Sequence, residues 1–269
     1  MADSLNIAIN GIAGRMGQQL VAAALSRGHS LSGGKEADKS AHIGRTIAEL
    51  TGQPAATGAV SERLETALAG ASVWIDFTVP AATLEALEHI AGRGGIALVI
   101  GTTGFSPGEE ARIAEAASRL AIVKAGNFSL GVTLLQGLVR RASAALGPEW
   151  DIEISETHHR HKKDAPSGTA LMLGEAAADG RGAPLEALRS APYDGPDAAR
   201  APGTIGFSVR RLGGVIGEHE VRFGALQETL SLTHMALDRS VFAHGAIQAA
   251  EWVAGRPPGL YSMDDVLGL

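Results

Sequence analysis

Short apolar runs recur through the first half of the chain, and a helical pattern follows several of them. Runs of about five apolar residues without polar alternation are typical of strands buried on both faces of a parallel sheet. The pattern predicts strands at residues 5–9, 73–77, 96–100 and 120–125, a further strand ending at 31–34, and helices at 15–26, 80–91 and 107–119. Strands that alternate with helices in this way predict the α/β class, with a doubly wound parallel sheet. Thr78 is placed to cap the helix that starts near Pro80.

The pattern changes in the second half of the chain. It predicts a long helix at 130–146, a half-exposed strand at 151–157, a short helix from about Gly168, three strands at 205–212, 214–223 and 228–234, and a last helix at 240–254. The three strands alternate in polarity and are predicted to form an antiparallel meander. A stretch rich in Gly, Pro and Ala at 179–202 is predicted to be a surface loop.

These elements predict two domains. The first is formed by residues 1–126 and 236–269, because the last helix is expected to return to the parallel sheet. The second is a smaller α+β domain at residues 127–235.

Composition excludes several classes of function. The chain has 269 residues with a net charge of -6 and no run of Lys and Arg that could follow a phosphate backbone, so nucleic acid is not an expected partner. It has no cysteine, which excludes disulfides, thiolate catalysis and Cys-ligated zinc. No apolar stretch is long enough to span a membrane, and residues 1–6 lack the features of a secretion signal. The expectation is a cytoplasmic protein.

A glycine-rich turn follows the first predicted strand directly. Gly11, Gly14 and Gly17 have G-x-x-G-x-x-G spacing, with Ala13 where the common dinucleotide fingerprint has its second glycine. Gly11 permits a tight turn, Gly14 lets a pyrophosphate approach the backbone, and Gly17 lets helix and sheet pack closely. This context predicts a Rossmann-type dinucleotide site, although an ordinary tight turn would also use glycine. The candidate residues are Gly11, Ile12, Ala13, Gly14, Arg15 and Met16.

An acidic residue is expected about twenty residues beyond this turn, to bind the adenosine ribose. Glu36 is the candidate, Asp38 is the competitor, and an ordinary loop carboxylate is the alternative to both. Lys35 and Lys39 could meet the 2′-phosphate of NADPH, which leaves the choice of cofactor open.

Two more glycine turns follow predicted strands at the same edge of the sheet. Ligands of open α/β sheets bind beyond the carboxyl ends of the strands, so these turns should face the nicotinamide. Their alternative role is ordinary strand-to-helix punctuation. The candidate residues are Gly101, Thr102, Thr103, Ala125, Gly126, Asn127 and Phe128.

The segment from Glu156 to Thr169 concentrates basic side chains in an acidic protein: His158, His159, Arg160, His161, Lys162 and Lys163 are consecutive. Ser167 is a predicted N-cap, so the free N–H groups of Gly168 and Thr169 would form a site for a carboxylate. A His or Lys beside it could supply a proton. A solvated basic loop, a metal-binding His tract and a nucleic-acid site are the alternatives. No H-E-x-x-H helix or third-ligand carboxylate is evident, so no metal is expected.

This segment, with His158-His159-Arg160-His161-Lys162 and Asp164-Ala165-Pro166-Ser167-Gly168-Thr169-Ala170, closely resembles the signature of the 4-hydroxy-tetrahydrodipicolinate reductases, also called dihydrodipicolinate reductases. The resemblance extends to residues 11–17, 76–78, 101–104, 127–129 and 131–132, and therefore covers both predicted domains.

The resemblance implies reduction of a small cyclic dicarboxylate by hydride from NADH or NADPH, with loss of water, in the diaminopimelate route to lysine. It implies that His158 is the general acid/base and Lys162 a second proton donor, and that His159, Gly168 and Thr169 bind the substrate carboxylates. The glycine turns and Glu36 would bind the cofactor. The second domain would bind substrate and form a homotetramer through its sheet, which suits alternating strands with apolar faces.

One residue departs from the family pattern. Many relatives carry an arginine directly after the acidic ribose-binding residue, and here that position is Ala37, which favours NADH.

Two rival functions share the glycine turn: another two-domain dehydrogenase, such as one acting on aspartate or its semialdehyde, and a non-catalytic dinucleotide sensor. Neither needs the basic segment. Whether His158 or Lys162 delivers the proton, whether water is lost on the enzyme, and whether the assembly is a tetramer or a dimer stay open.

Overall fold

The computed structural model describes residues 4–196 and 198–269. Residues 1–3 of the segment inspected for a secretion signal, and Asp197 in the predicted loop, lie outside the described residues. The strands are β1 (Asn6–Asn10), β2 (Ser30–Lys35), β3 (Val60–Ser61), β4 (Val73–Asp76), β5 (Ala97–Ile100), β6 (Ala121–Lys124), β7 (Asp151–His158), β8 (Ile205–Arg211), β9 (Glu218–Gly224), β10 (Thr229–Met235) and β11 (Gly259–Tyr261). The helices are α1 (Arg15–Ser26), α2 (Ile47–Thr51), α3 (Leu64–Ala67), α4 (Pro80–Arg93), α5 (Pro107–Ala116), α6 (Leu130–Ala145), α7 (Gly168–Gly180), α8 (Leu185–Leu188), α9 (Ser240–Val253) and α10 (Met263–Leu267).

The chain divides into two compact units. The first comprises the described residues up to Ser129 together with Ser240–Gly268, and the second comprises Leu130–Arg239 with Leu269. Within the described part of the chain, no helix combines the length and the apolar character needed to cross a bilayer.

The first unit is built on a parallel sheet. Its described strands lie in the order β11-β6-β5-β4-β1-β2-β3, and every neighbouring pair is parallel. The central strand β4 is buried along its whole length, and Trp74 on it is fully enclosed. Helix α9 packs on α1 and on β4, β5 and β6, so the C-terminal helix covers one face. The order and direction of these strands confirm the predicted doubly wound parallel sheet. Strands that are apolar throughout need cover on both faces, which explains this fold.

The second unit contains a mixed sheet with the described strands in the order β10-β9-β7-β8. The predicted antiparallel meander is wrong for β8, which runs parallel to β7 at the sheet edge, whereas β9 and β10 form an antiparallel pair. A parallel neighbour requires a crossover, and α7 lies between β7 and β8 in the chain to provide it. Alternation of polarity predicts that a segment is a strand but does not determine which strand it pairs with.

The apolar face of this mixed sheet forms the core of the second unit. Ile152, Ile154, Val221 and Phe223 pack in one buried cluster with residues of α6 and α7. The opposite face carries charged pairs, such as Glu153 with Arg200. The apolar face expected to join subunits is therefore already covered by helices of the same chain.

Three local predictions were also wrong. Val79, not Thr78, is the N-cap of α4, and it makes no side-chain capping bond. Thr78 instead donates its hydroxyl hydrogen bond to the buried carboxylate of Asp76. The stretch at 179–202 is not a loop throughout, because the short helix α8 buries Leu185 against the core. Strand β9 begins at Glu218 rather than at residue 214.

Candidate functional site

The glycine turn has the tight geometry that the sequence predicted. Gly11 has a positive φ of +65°, and a Cβ there would lie 2.8 Å from Thr78 Cγ2. A Cβ on Gly17 would lie 2.5 Å from the carbonyl oxygen of Ile12 and would also overlap that of Gly11. Glycine is therefore required at both positions, the first for its backbone conformation and the second for the close approach of helix and turn.

The first helix leaves its N-terminal N–H groups without an internal cap. Gly14 is the N-cap of α1, makes no side-chain capping bond, and is followed by no acidic residue in the first turn. Helices α2, α5 and α10 of the same unit are instead closed by capping boxes from Thr46, Ser106 and Ser262. Helix α1 therefore presents unpaired donors and the positive end of its dipole, which fits a dinucleotide pyrophosphate.

Glu36 lies directly over this turn. Its Oε1 atom accepts a hydrogen bond of 2.7 Å from the backbone N–H of Ala13. Lys35 is buried, and its Nζ atom lies 3.6 Å from Glu85 Oε2, so its charge is engaged within the fold. Ala37, Asp38 and Lys39 are exposed.

Behind the glycine turns, a buried carboxylate organises the carboxyl edge of the sheet. Asp76 is fully buried, and its two oxygens accept hydrogen bonds from the side chains of Asn10, Thr78 and Thr102. Thr78 N also donates to Asp76 Oδ1 and to Thr102 Oγ1. The network joins the ends of β1, β4 and β5, which keeps their turns together.

The candidate residues at these turns divide by exposure. Thr102 and Phe128 are buried, as is Ile12 in the first turn, so their side chains support the backbone. Thr103 and Gly126 are exposed, whereas Gly101, Ala125 and Asn127 are half-buried. In the first turn, Gly14 and Arg15 are exposed, and Gly11, Ala13 and Met16 are half-buried. The structure thus brings the predicted cofactor residues to one unit, where each of the three turns has at least one exposed residue.

In the second unit, the basic segment begins at the buried end of β7. The register pairs His158 with Arg211 on β8 and Glu156 with His219 on β9. His158 Nδ1 lies 2.5 Å from Glu156 Oε2, and the rings of His158 and His219 meet edge to face at 5.1 Å. His158 itself is 8% exposed.

Glu156 is held as an ion inside this cluster. Burial alone raises the pKa of Glu156, but hydrogen bonds from Arg211, His158 and the Ser167 N–H outweigh burial, and the pKa lies below its ordinary value. Burial, together with the proximity of His158, lowers the pKa of His219 to about 4, so the His219 ring is neutral near neutral pH. The cluster therefore contains one fixed negative charge and one fixed neutral imidazole.

The start of α7 is capped as predicted, because Ser167 Oγ accepts a hydrogen bond from Ala170 N. Lys162 Nζ is 2.9 Å from Asp164 Oδ1, and this bond lowers the pKa of Asp164. The backbone N–H of Gly168 lowers the same pKa further. One of the two donors predicted to receive a substrate carboxylate, the Gly168 N–H, thus already interacts with a carboxylate of the same chain, that of Asp164.

His159 lies in a concentration of positive charge. Burial, followed by the charges of Arg239 and of the neighbouring basic groups, lowers the pKa of His159. Its ring centroid is 6.4 Å from that of His161. An anionic ligand placed here would meet several cations at once. No three His, Asp or Glu side chains among residues 4–196 and 198–269 are grouped as a metal ion requires.

Sequence reasoning missed Arg211 and His219 and gave Glu156 no role. A signal was present in each case: Arg211, His219 and Glu156 each lie two positions from an apolar residue on the same strand, namely Val209, Val221 and Ile154, and therefore on the same face as that residue. An ionisable residue at an inward position needs a partner, and that partner is on another strand.

The parallel sheet with its open glycine turn, and the separate unit with its buried acid–base cluster, define a two-domain Rossmann-type oxidoreductase that uses a nicotinamide cofactor. Comparison with known proteins gives the particular family. Residues 5–128 match the family model for the dihydrodipicolinate reductase N-terminus, and residues 131–267 match the model for its C-terminus. The chain belongs to the dihydrodipicolinate reductase family, as the signature segment predicted.

Relatives support the same placement. The chain is 50% identical, over 272 residues and all of both chains, to the 4-hydroxy-tetrahydrodipicolinate reductase of Parvibaculum lavamentivorans. It is also 50% identical, over 269 residues, to that of Caulobacter vibrioides, covering 100% of this chain and 99% of the relative. Its structure is similar to dipicolinate-bound dihydrodipicolinate reductase from Paenisporosarcina sp. TG-14, with a TM-score of 0.78, 25% identity and coverage of 97% and 98%. An amine dehydrogenase from Mycobacterium smegmatis shares the fold alone, with a TM-score of 0.68, 13% identity and coverage of 97% and 96%.

Proposed function

We propose that this chain reduces 4-hydroxy-tetrahydrodipicolinate to tetrahydrodipicolinate, with loss of water, in the diaminopimelate route of lysine biosynthesis. The observation that carries the proposal is the basic segment, which ends a strand at the buried His158–Glu156 pair and leads to the start of α7. A dinucleotide sensor has no use for this cluster. The full-length relatives named as reductases of this substrate support the same conclusion.

The cofactor is assigned to the first unit, and when bound it supplies the hydride. The residues assigned to its pyrophosphate are Gly11, Ile12, Ala13, Gly14, Arg15 and Met16. The N–H groups of Gly11 and Ile12 donate to the Lys35 carbonyl oxygen, that of Ala13 to Glu36 and that of Gly14 to the Gly11 carbonyl oxygen, so the donors are the N–H groups of Arg15 and Met16 at the start of α1, with the Arg15 guanidinium as an additional cation. The Glu36 carboxylate binds the adenosine ribose. The turns at residues 101–103 and 125–128 face the nicotinamide, and the buried side chains of Thr102 and Phe128 hold those turns in shape.

The dicarboxylate is assigned to the second unit. His159, Gly168 and Thr169 bind its carboxylates, at a helix start where the dipole favours negative charge. Because Asp164 approaches the Gly168 N–H in this structure, the substrate carboxylate competes with Asp164 or pairs with the adjacent Lys162. The dipicolinate bound to the Paenisporosarcina protein is a dicarboxylate of the same kind.

His158 and Lys162 are assigned the proton transfers. Loss of water places a proton on the departing hydroxyl and releases one from the adjacent ring carbon, and hydride addition then needs one proton on the neighbouring ring atom, so one hydride and one proton are consumed for each water released. His158 Nε2 is the imidazole nitrogen not engaged by Glu156, and the Lys162 Nζ atom is held by Asp164 in the same segment. Positioning both beside the bound dicarboxylate would supply these protons without free solvent acid.

Substrate-dependent oxidation of NADH and of NADPH tests the proposal. Substrate generated freshly from pyruvate and aspartate semialdehyde should cause rapid loss of reduced-cofactor absorbance, with no loss when the substrate is omitted. Protein that binds NADH but shows no such loss with either cofactor would instead be another dehydrogenase or a sensor.

We propose NADH as the preferred cofactor. Glu36 places a negative charge where a 2′-phosphate would lie, its position is held by Ala13 N–H, and Lys35 is turned to Glu85. Ala37 supplies no guanidinium. Lys39 is then the remaining cation near Glu36 in sequence, on an exposed segment.

Replacing Glu36 with glutamine should shift selectivity towards NADPH. The amide can still accept the Ala13 hydrogen bond but no longer repels a phosphate, so the ratio of kcat/KM for NADPH to that for NADH should rise about tenfold, equivalent to about 1.4 kcal/mol. Steady-state kinetics with both cofactors measure this ratio. Asp38→Asn is the matched control and should leave it unchanged; equal effects of the two variants would remove Glu36 from the ribose site.

We also propose that the protein is a homotetramer and is located in the cytoplasm. Pairing of the mixed sheets between subunits would use their charged face, including Glu153, Arg200 and Arg222, rather than the apolar one. Such an interface would depend mainly on matched charges and hydrogen bonds. A biosynthetic enzyme that draws on cellular nicotinamide pools is expected in the cytoplasm.

A further inference from the structure

The Glu156 side chain is an unusually well-satisfied buried carboxylate. It belongs to a residue that is 1% exposed, and it lies on the inward face of β7 two positions before His158. Oε1 accepts hydrogen bonds from Arg211 Nη2 at 3.0 Å and from Ser167 N at 3.0 Å. Oε2 accepts from Arg211 Nη1 at 2.9 Å and contacts His158 Nδ1 at 2.5 Å. Each oxygen therefore has two partners.

Arg211 keeps the Glu156 carboxylate ionised. A buried carboxylate without a cation would take up a proton rather than remain charged. The Arg211 guanidinium binds both oxygens in a bidentate arrangement and also donates to the carbonyl oxygen of Asp164 at 2.6 Å. The same residue thus fixes the charge of Glu156 and ties it to the loop that carries Lys162.

An ionised Glu156 determines which nitrogen of His158 carries the proton. The carboxylate is an acceptor only, so Nδ1 of the neutral His158 ring must be the N–H donor in this bond. Nε2 then has a free lone pair. A Cβ placed on Gly217 would lie 3.1 Å from Nε2, and the His219 ring packs edge-on against His158, so the ring is also fixed in orientation.

We infer that Glu156 is a positioning residue for proton transfer: held in place by Arg211 and the Ser167 N–H, it selects the Nδ1–H tautomer of His158 and leaves Nε2 to exchange the proton with substrate. The inference rests on the proposed function, in which His158 is the acid/base. It assigns Glu156 and Arg211 roles that act through His158 rather than on the substrate.

Glu156→Gln tests the inference, because it keeps the shape but makes one of the two positions a donor. Turnover should fall about 10²-fold, the lower end of what general acid–base catalysis contributes, while the Kd for NADH stays unchanged. Nitrogen NMR of ¹⁵N-histidine-labelled protein, assigned with His158→Asn, should show the Nδ1–H tautomer in the wild type and its loss in the variant. Arg211→Lys, which keeps the charge but not the bidentate bond, should retain part of the turnover and of the Nδ1–H signal.

Glu153→Gln is the matched control, because Glu153 is on the same strand and pairs with an arginine on the opposite face. It should retain both the turnover and the His158 tautomer. A wild-type His158 protonated at Nε2 would overturn the inference whatever the variants do, as would full turnover in Glu156→Gln after loss of the tautomer. Absence of reductase activity in the wild type would refute the proposed function instead, and the NMR result would still decide the tautomer.

Discussion

Replacing His158 or Lys162 with alanine should lower turnover by about 10²-fold or more, the usual contribution of a positioned proton donor, and leave the Kd for NADH unchanged. His158 is nearly buried beside a fixed carboxylate, and Lys162 is paired with Asp164 at the same loop, so each side chain is already oriented. The cofactor residues lie in the other unit of the chain. Reductase rates with fresh substrate, together with fluorescence titration of NADH, separate the two effects.

Lys163→Ala is the control for this pair. Lys163 is adjacent to Lys162, has the same charge and is exposed, so its loss removes general positive charge without removing a proposed proton donor. The rate should remain close to that of the wild type. A His158→Ala, Lys162→Ala double variant that turned over at full speed would end the assignment of both residues.

Gly17→Ala should abolish tight NADH binding, with at least about a tenfold rise in Kd, equivalent to about 1.4 kcal/mol. The added Cβ would lie 2.5 Å from the Ile12 carbonyl oxygen, a distance that real Cβ atoms essentially never show, so the helix or the turn must shift. That shift displaces the backbone N–H groups assigned to the pyrophosphate. NADH titration measures the loss, and circular dichroism reports whether the fold is retained.

Gly92→Ala adds the same methyl group within helix α4, where a Cβ would meet no atom within 4 Å. It should bind NADH normally and be slightly more stable, because alanine favours a helix by about 0.5–1 kcal/mol over glycine. Wild-type NADH affinity in a folded Gly17→Ala variant would place the dinucleotide elsewhere.

Much of the first unit could be predicted from local pattern, because the features that determine it depend on residues close together in the chain. Uniformly apolar runs at β4, β5 and β6 demand burial on both faces, and that requires a parallel sheet with helices on each side. The glycine spacing has its own geometric reason, since Gly11 in the turn after β1 and Gly17 in the first turns of α1 each exclude a side chain. The errors here were also local: Thr78 was expected to cap a helix, and the buried carboxylate of Asp76 takes its hydroxyl instead.

In the second unit, local pattern was not sufficient to predict strand pairing or the contacts between strands. Alternation revealed strands β8 to β10 but not their neighbours, so β8 was placed in a meander although it runs parallel to β7. The basic segment was evident as a composition anomaly, and its resemblance to a reductase signature identified the chemistry. Neither observation could show that Arg211 and His219 face Glu156, because those contacts cross 55 and 63 positions of the chain.

The sequence by itself determined the doubly wound sheet, the phosphate turn, the family and the segment that carries the chemistry, because each depends on residues close together in the chain. Only the tertiary structure decided which charges are engaged and which are available. It paired Lys35 with Glu85, set Asp164 near the Gly168 N–H at the start of α7, and enclosed Glu156 between Arg211 and His158. Electrostatic partnership depends on distance in space and on burial, and strand register determines both.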